Sequence, residues 1–166
     1  VGSEMCIRDR NPGELSLPAP RYYRKAFDAG KKVAKAQLYA SALGAMELYL
    51  NGKRIGDSLL APGWSDYAAR ANYVSHDVSS KVVAGSNCLG AIVADGRYCG
   101  YLGSAKRKRF GPFGTGRNLY GKTPAVLVQL HLHYEDGTSR IVTSDPTWKV
   151  TTGPEFEADP LMGEGY

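Results

Sequence analysis

Residues 125–134 read Ala-Val-Leu-Val-Gln-Leu-His-Leu-His-Tyr, and apolar and polar side chains alternate along them. Val126, Val128, Leu130, Leu132 and Tyr134 share one face, while Gln129, His131 and His133 share the other. A period of two places successive side chains on opposite faces of a strand, so the segment is predicted as a strand with one buried face. Residues 33–41 repeat the pattern, with Ala34, Ala36, Leu38 and Ala40 opposed to Lys35 and Gln37. Further strands are predicted over 22–27, 45–51, 71–79, 139–144 and 147–152. The run CLGAIVAD, 88–95, is almost continuously apolar and predicts a central strand covered on both faces.

Turn chemistry punctuates these runs. Asn51-Gly52 predicts a type I′ hairpin, which needs positive φ at both central residues, and "KRIG" returns along it. Asp136-Gly137 predicts a second hairpin, and residues 80–87 a loop or short helical turn. No stretch keeps a helical period beyond a turn or two. About eight or nine short strands with regular turns predict one all-β domain, an antiparallel β-sandwich of jelly-roll type.

Composition narrows the function classes. The 166 residues carry a formal charge of +5, much of it in the KRKR run at 106–109 within a Gly-rich stretch. Such a run is ordinarily a solvated loop, so no nucleic-acid partner is expected. No run approaches the ~18–20 apolar residues that span a bilayer, so no membrane partner is expected. Cys6, Cys88 and Cys99 have neither zinc-site spacing nor the even count of a disulfide scaffold. Cys88 is expected buried in its apolar run; a Cys88–Cys99 bridge is left open.

Residues 1–10, VGSEMCIRDR, resemble the translated read-through of a sequencing adapter and are set apart from the fold. Residues 11–21 are expected to be a linker and 22–166 the domain.

Phosphate-loop, zinc-protease, nucleophile-elbow and EF-hand motifs are absent. His131 and His133 point the same way from one strand but have no third ligand nearby, so they read as solvent-face residues, as does His76. Glu155, Glu157 and Asp159 alternate as a solvated row. No catalytic residue, metal or cofactor is assigned.

What remains is an aromatic and polar set beside Pro62-Gly63 and after residue 94. Trp64, Asp66, Tyr67, Tyr73, Asp95, Arg97, Tyr98 and Tyr101 stand near strand ends, where a sandwich gathers its loops. Sugar recognition requires this mixture, an aromatic face for the ring's C–H patch and Asp or Arg for its hydroxyls. The same residues serve equally to dock a neighbouring domain or to cap the core. All three readings stand at this stage.

The ordered motifs ALG (42–44), LYLNGKR (48–54), APGWSDY (61–67), DGRY (95–98) and EDGT (135–138) carry a family likeness. From about Tyr22 to Tyr166 the chain resembles the N-terminal β-sandwich module of bacterial α-L-rhamnosidases. The resemblance implies a galactose-binding-like sandwich and a parent enzyme that releases terminal L-rhamnose through a separate α/α-barrel. The implied partners are that catalytic domain and, through the parent enzyme, rhamnose-containing glycans; the module itself is implied to be inactive. Two departures stand out. Arg97 occupies the place of an aromatic in the family's D-G-W-Y. Leu43-Gly44 stands where related rhamnose-binding modules carry a calcium-holding Asp-Asn pair, and neither side chain offers an oxygen.

Overall fold

The structure is a computed structural model and describes residues 18–101, 117–155, 157–160 and 163–165. The leader at 1–10, residues 11–17 of the expected linker and the basic run at 106–109 lie outside the described residues.

Nine of the strands build two sheets: β1 Arg21–Asp28, β2 Val33–Leu43, β3 Ala45–Leu50, β4 Lys53–Ile55, β5 Tyr73–Asp77, β6 Ser86–Ala94, β7 Ala125–Tyr134, β8 Ser139–Thr143 and β9 Lys149–Thr152. The order β4-β3-β6-β1-β9 forms one sheet and β5-β2-β7-β8 the other, and every pairing is antiparallel. A small ribbon, β10 Glu157–Asp159 with β11 Gly163–Gly165, follows, and a four-residue helical turn, α1 Gly96–Cys99, succeeds β6. The fold is the expected all-β sandwich.

The core lies between the sheets and is filled by alternate residues of the longest strands. Ala36, Leu38, Ala40 and Ala42 of β2 meet Val128, Leu130 and Leu132 of β7 from one side; Met46, Leu48 and Leu50 of β3 and Leu89, Ala91 and Val93 of β6 close it from the other. The alternation read from residues 126–134 is borne out. Ala34 is the exception in β2: the register shifts between Val33 and Lys35, and Ala34 is exposed. Asn51 and Gly52 both have positive φ, 51° and 77°, as the hairpin requires.

Three expectations fail in this region. β6 is not covered on both faces: its inward residues are buried, but Ser86 and Cys88 are exposed on the outer face, and Gly90, Ile92 and Ala94 are half-buried. Cys88 is therefore exposed and Cys99 buried, and both thiols are free. An apolar run tells how a strand is composed, not whether a second layer lies over it. His76 is half-buried on edge strand β5, its ring against Gly56.

One junction ties the sheets together. β2 belongs to the four-stranded sheet and β3 to the five-stranded one, yet a single residue, Gly44, joins them. Gly44 adopts φ +133°, and a Cβ there would fall on the Ala94 carbonyl oxygen. Opposite it Gly96 has φ +51°, and its Cβ would lie 2.5 Å from the Ala45 nitrogen. Two backbones thus touch at a point where neither tolerates a side chain. Gly96→Ala should destabilise the chain by about 3 kcal/mol, combining backbone strain with overpacking. Gly30→Ala, also at positive φ but with nothing within 4 Å of its Cβ, should cost clearly less. Denaturant melts of the two variants check the difference, and equal losses would contradict the close-contact argument.

Candidate functional site

The loop between β4 and β5 is shaped by its own hydrogen bonds. The Met46 amide donates to the Ala61 carbonyl at 2.7 Å, and the Gly63 amide to Leu60 at 2.9 Å, across a cis Ala61-Pro62 bond. Gly63 has φ +90° and turns the chain so that Trp64 follows at the loop tip. The Asp66 carbonyl accepts the amides of Ala69 and Arg70, and its carboxylate accepts the Ala68 amide at 3.1 Å. Asp66 therefore shapes the turn behind the tryptophan, a common use of a short acidic side chain.

Residues of α1, with Tyr120 from the segment before β7, come up beside this loop. The Arg97 guanidinium lies 4.8 Å from the centre of the Trp64 ring, a cation–π contact. Tyr67 meets Tyr98 and Tyr120 edge-on, each at 5.2 Å, while Tyr98 and Tyr120 lie nearly parallel at 6.5 Å. Burial raises the Tyr67 phenol's pKa above its ordinary value. Gly44, Leu60, Trp64, Tyr67, Arg97 and Pro160 line a cleft of about 240 Å³. Trp64 remains 56% exposed, and its loop neighbours Leu59 and Leu60 are 76% and 53% exposed.

A larger groove of about 500 Å³ adjoins the cleft through Ala45, Leu60, Gly96 and Pro160 and runs along the outer face of β3 and β6. Glu47, Ile92, Glu155 and Asp159 are among its walls. Glu47 is engaged by the Tyr49 hydroxyl at 2.6 Å and by Arg54 at 2.7 Å; Glu155 accepts from the Tyr22 hydroxyl.

Beneath the loops is a buried polar cluster. Asp95, 3% exposed, pairs with Arg117, whose guanidinium also lies over the Tyr101 ring. The Tyr101 amide donates to the Asp159 carboxylate at 3.0 Å, and the Asn118 amide to the Cys99 carbonyl at 2.9 Å. Asp95 and Asp159 thereby hold the chain on either side of residues 102–116. Burial pushes the Asp95 carboxyl up to about 6; Arg117 and Arg21 oppose the shift and Asp159 adds to it. The Cys99 thiol is pushed up to about 12, chiefly by burial.

The structure thus brings together Trp64, Tyr67, Arg97 and Tyr98, sets Asp95 beneath them, and spends Asp66 on the loop. Tyr73 stands apart, exposed on β5 at the outer face of the four-stranded sheet. It is the first residue of β5, and strand parity puts it on the outer face of its sheet. Glu155, Glu157 and Asp159 are no solvated row, since Asp159 is buried and Glu155 hydrogen-bonded. Sequence reasoning passed over Arg117, Tyr120, Leu59 and Leu60. For Arg117 and Tyr120 the only signal was the Gly-rich context, which marks a loop without saying where it folds; Leu59 and Leu60 lie directly before Ala61-Pro62.

Asp95 predicts a pH dependence with a definite sign. A carboxyl whose folded pKa lies above its unfolded value stabilises the fold below about pH 4, and that contribution is lost as pH rises towards 6. Asp95→Asn cannot lose a proton, so its stability relative to the parent should rise from pH 4 to pH 6.5, whatever its offset from breaking the Arg117 pair. Denaturant melts across that range check the slope, and a falling or flat difference would contradict it.

With this geometry in view, the chain was compared with known proteins. The sequence model of the alpha-L-rhamnosidase N-terminal domain matches residues 31–166. The chain is 48% identical over 136 residues to an alpha-L-rhamnosidase of Streptomyces avermitilis, covering 82% of this chain and 12% of that protein. It is 34% identical to one from Alteromonas sp., covering 100% of this chain and 17% of the relative. Among solved structures, the S. avermitilis alpha-L-rhamnosidase complexed with L-rhamnose superposes with a TM-score of 0.80 at 45% identity, over 90% of this chain and 14% of that one. The Aspergillus terreus enzyme gives 0.81 at 34% identity, over 95% and 17%. A Pleurotus ostreatus lectin in complex with GalNAc shares the fold, with a TM-score of 0.53 at 18% identity over 86% of this chain and 32% of that one. The chain spans only 12–17% of the length of these curated rhamnosidases. By the match over 31–166 and by these identities, the chain belongs to the alpha-L-rhamnosidase N-terminal domain family.

Proposed function

We propose that this chain is an accessory module of an α-L-rhamnosidase, a glycoside hydrolase that releases terminal L-rhamnose, and that its Trp64 end docks the catalytic part of the enzyme. The observation that carries this reading is the exposure of Leu59, Leu60 and Trp64 on one loop, with Leu60 lining a cleft together with Trp64 and a groove together with Leu59. Contiguous apolar surface next to polar groups marks an interaction site, and an exposed tryptophan beside an arginine has the composition of an interface hot spot. Arg97 favours docking over sugar stacking by Trp64. The guanidinium lies over one face of the indole ring, so that face is not open for a sugar to stack on.

A second reading, a carbohydrate-binding module in its own right, is supported by the groove along β3 and β6. Its apolar wall faces carboxylates that can accept hydroxyl hydrogen bonds, the general chemistry of a sugar site. On either reading the chain supplies recognition and no chemistry. Glycoside hydrolysis requires two carboxyl groups flanking one scissile bond, one held protonated to act as acid. Asp95, a buried carboxyl with a raised pKa, is committed to Arg117 beneath the loops.

Trp64→Ala separates the readings. For docking, it should change the isolated chain's stability by less than ~1 kcal/mol, as for an exposed position, while loosening a rhamnosidase polypeptide that carries the module. A loss of ~3–5 kcal/mol in the isolated chain would place Trp64 in the core and end the docking reading. Loss of L-rhamnose binding on titration, with stability unchanged, would favour the sugar reading.

The isolated chain should also leave an aryl α-L-rhamnoside intact. Turnover that survives purification and disappears when one Asp or Glu of this chain is replaced would contradict the assignment.

A further inference from the structure

The outer face of the four-stranded sheet carries chemistry that the Trp64 end does not use, and it explains the separate position of Tyr73. The register sets Tyr73 of β5 opposite Ser41 of β2, Tyr39 opposite Gln129 of β7, and His131 opposite Ile141 of β8. All have the parity that points away from the core. The Tyr73 and Tyr39 rings are 6.4 Å apart at 52°, and the Tyr39 and His131 rings 5.3 Å apart at 75°. An aromatic ladder therefore crosses three strands and ends at Ile141 on the fourth. Tyr73 is 68% exposed, and Leu127 and Ile141 are more than half exposed.

The polar groups between the rings are neutral. Gln37 donates to the Ser75 hydroxyl at 2.7 Å, and Gln129 contacts His131 through its amide oxygen at 3.3 Å. Among the described residues the side-chain Oε1 of Gln37 and Nε2 of Gln129 have no protein partner. The ionised groups of this face, Lys35 and Asp77, stand at one end of it. Asp77 is already engaged there by the Ser79 amide and hydroxyl at 2.9 and 2.6 Å. A solvated sheet face is normally polar and guarded by charge, above all in a chain with 22% charged residues. Here the central rows hold none.

A face whose central rows carry no Lys, Arg, Asp or Glu does not suit a phosphate backbone or an acidic peptide. Amides and hydroxyls set between tyrosines suit a ligand that presents C–H patches and hydroxyls together. Four strands span about 14 Å, longer than one sugar ring, so the ligand is an oligomer. We propose that the outer face of the four-stranded sheet is a binding surface for an extended neutral glycan, with Tyr39 and Tyr73 as stacking platforms and Gln37 and Gln129 as hydroxyl partners. This surface adjoins the Trp64 loop through Asn72, whose side chain donates to the Trp64 carbonyl at 3.2 Å, but it uses other side chains and does not depend on the docking reading.

Calorimetric titration of the whole chain with a linear rhamno-oligosaccharide of about four residues, with free L-rhamnose in parallel, tests the proposal. The oligomer should bind measurably better than the monosaccharide. Tyr39→Ala and Tyr73→Ala should each weaken binding on the order of tenfold, while Trp64→Ala leaves it unchanged. If either tyrosine variant melts early, Gln129→Ala must show the same weakening. No binding by the parent chain, or a loss confined to Trp64→Ala, would overturn the proposal. So would sedimentation showing self-association that Tyr73→Ala abolishes in a chain that binds no oligomer.

Discussion

The loop end of this domain hangs on the contact between Gly44 and Gly96. Sheet-to-sheet passage in one residue leaves no room for a conventional turn, and the β2–β3 ribbon bends only because Gly44 accepts φ +133°. The bend is braced by Gly96 at the start of α1 and by Pro124 before β7, whose Cβ would lie 3.3 Å from a Gly44 Cβ. Three strands are thereby fixed at one corner, and the residues beside it inherit their positions. Arg97 follows Gly96 and so reaches Trp64; Asp95 precedes it and so points to the buried cluster. Close approach of backbones converts two small residues into the frame of the candidate site.

Electrostatics then secures what the corner positions. Asp95 and Asp159 are among the few buried polar residues, and both are spent on the segments flanking 102–116. A buried ion pair is a poor source of net stability because desolvation offsets attraction, but it specifies geometry. Asn87 plays the corresponding part at the far end of the sandwich. It is buried and receives the Asn51 side chain at 2.9 Å and the Val83 amide at 2.9 Å, while donating to the Val83 and Gly85 carbonyls. Polar groups at both ends leave the middle to aliphatic packing.

Much of the fold was legible because a two-residue period is a local signal. Residues 126–134 and the Asn51-Gly52 turn state their structure within a few positions, and the motifs from ALG to EDGT state the family. Information that depends on a second layer was not legible. The apolar run at 88–95 does not show that its outer face is only half covered, so Cys88 was misplaced. Parity decides that Tyr73 lies on the outer face of its sheet, and the strand's register becomes known only from its partner. Leu43-Gly44 was read for its missing ligand oxygens, whereas the structure shows Gly44 as a steric necessity. Asp159 was read as one of a solvated row because its partner, the Tyr101 amide, lies far away in the chain.

The fold separates a frame, built on a glycine corner and two buried carboxylates, from exposed surfaces. The docking role proposed for the exposed loop of Leu59, Leu60 and Trp64 is the central claim. Amide hydrogen exchange, compared between the isolated chain and a rhamnosidase polypeptide containing it, tests that claim most directly. Slower exchange confined to residues 57–70 in the longer polypeptide is the predicted result. Identical exchange of that loop in the two forms would contradict it.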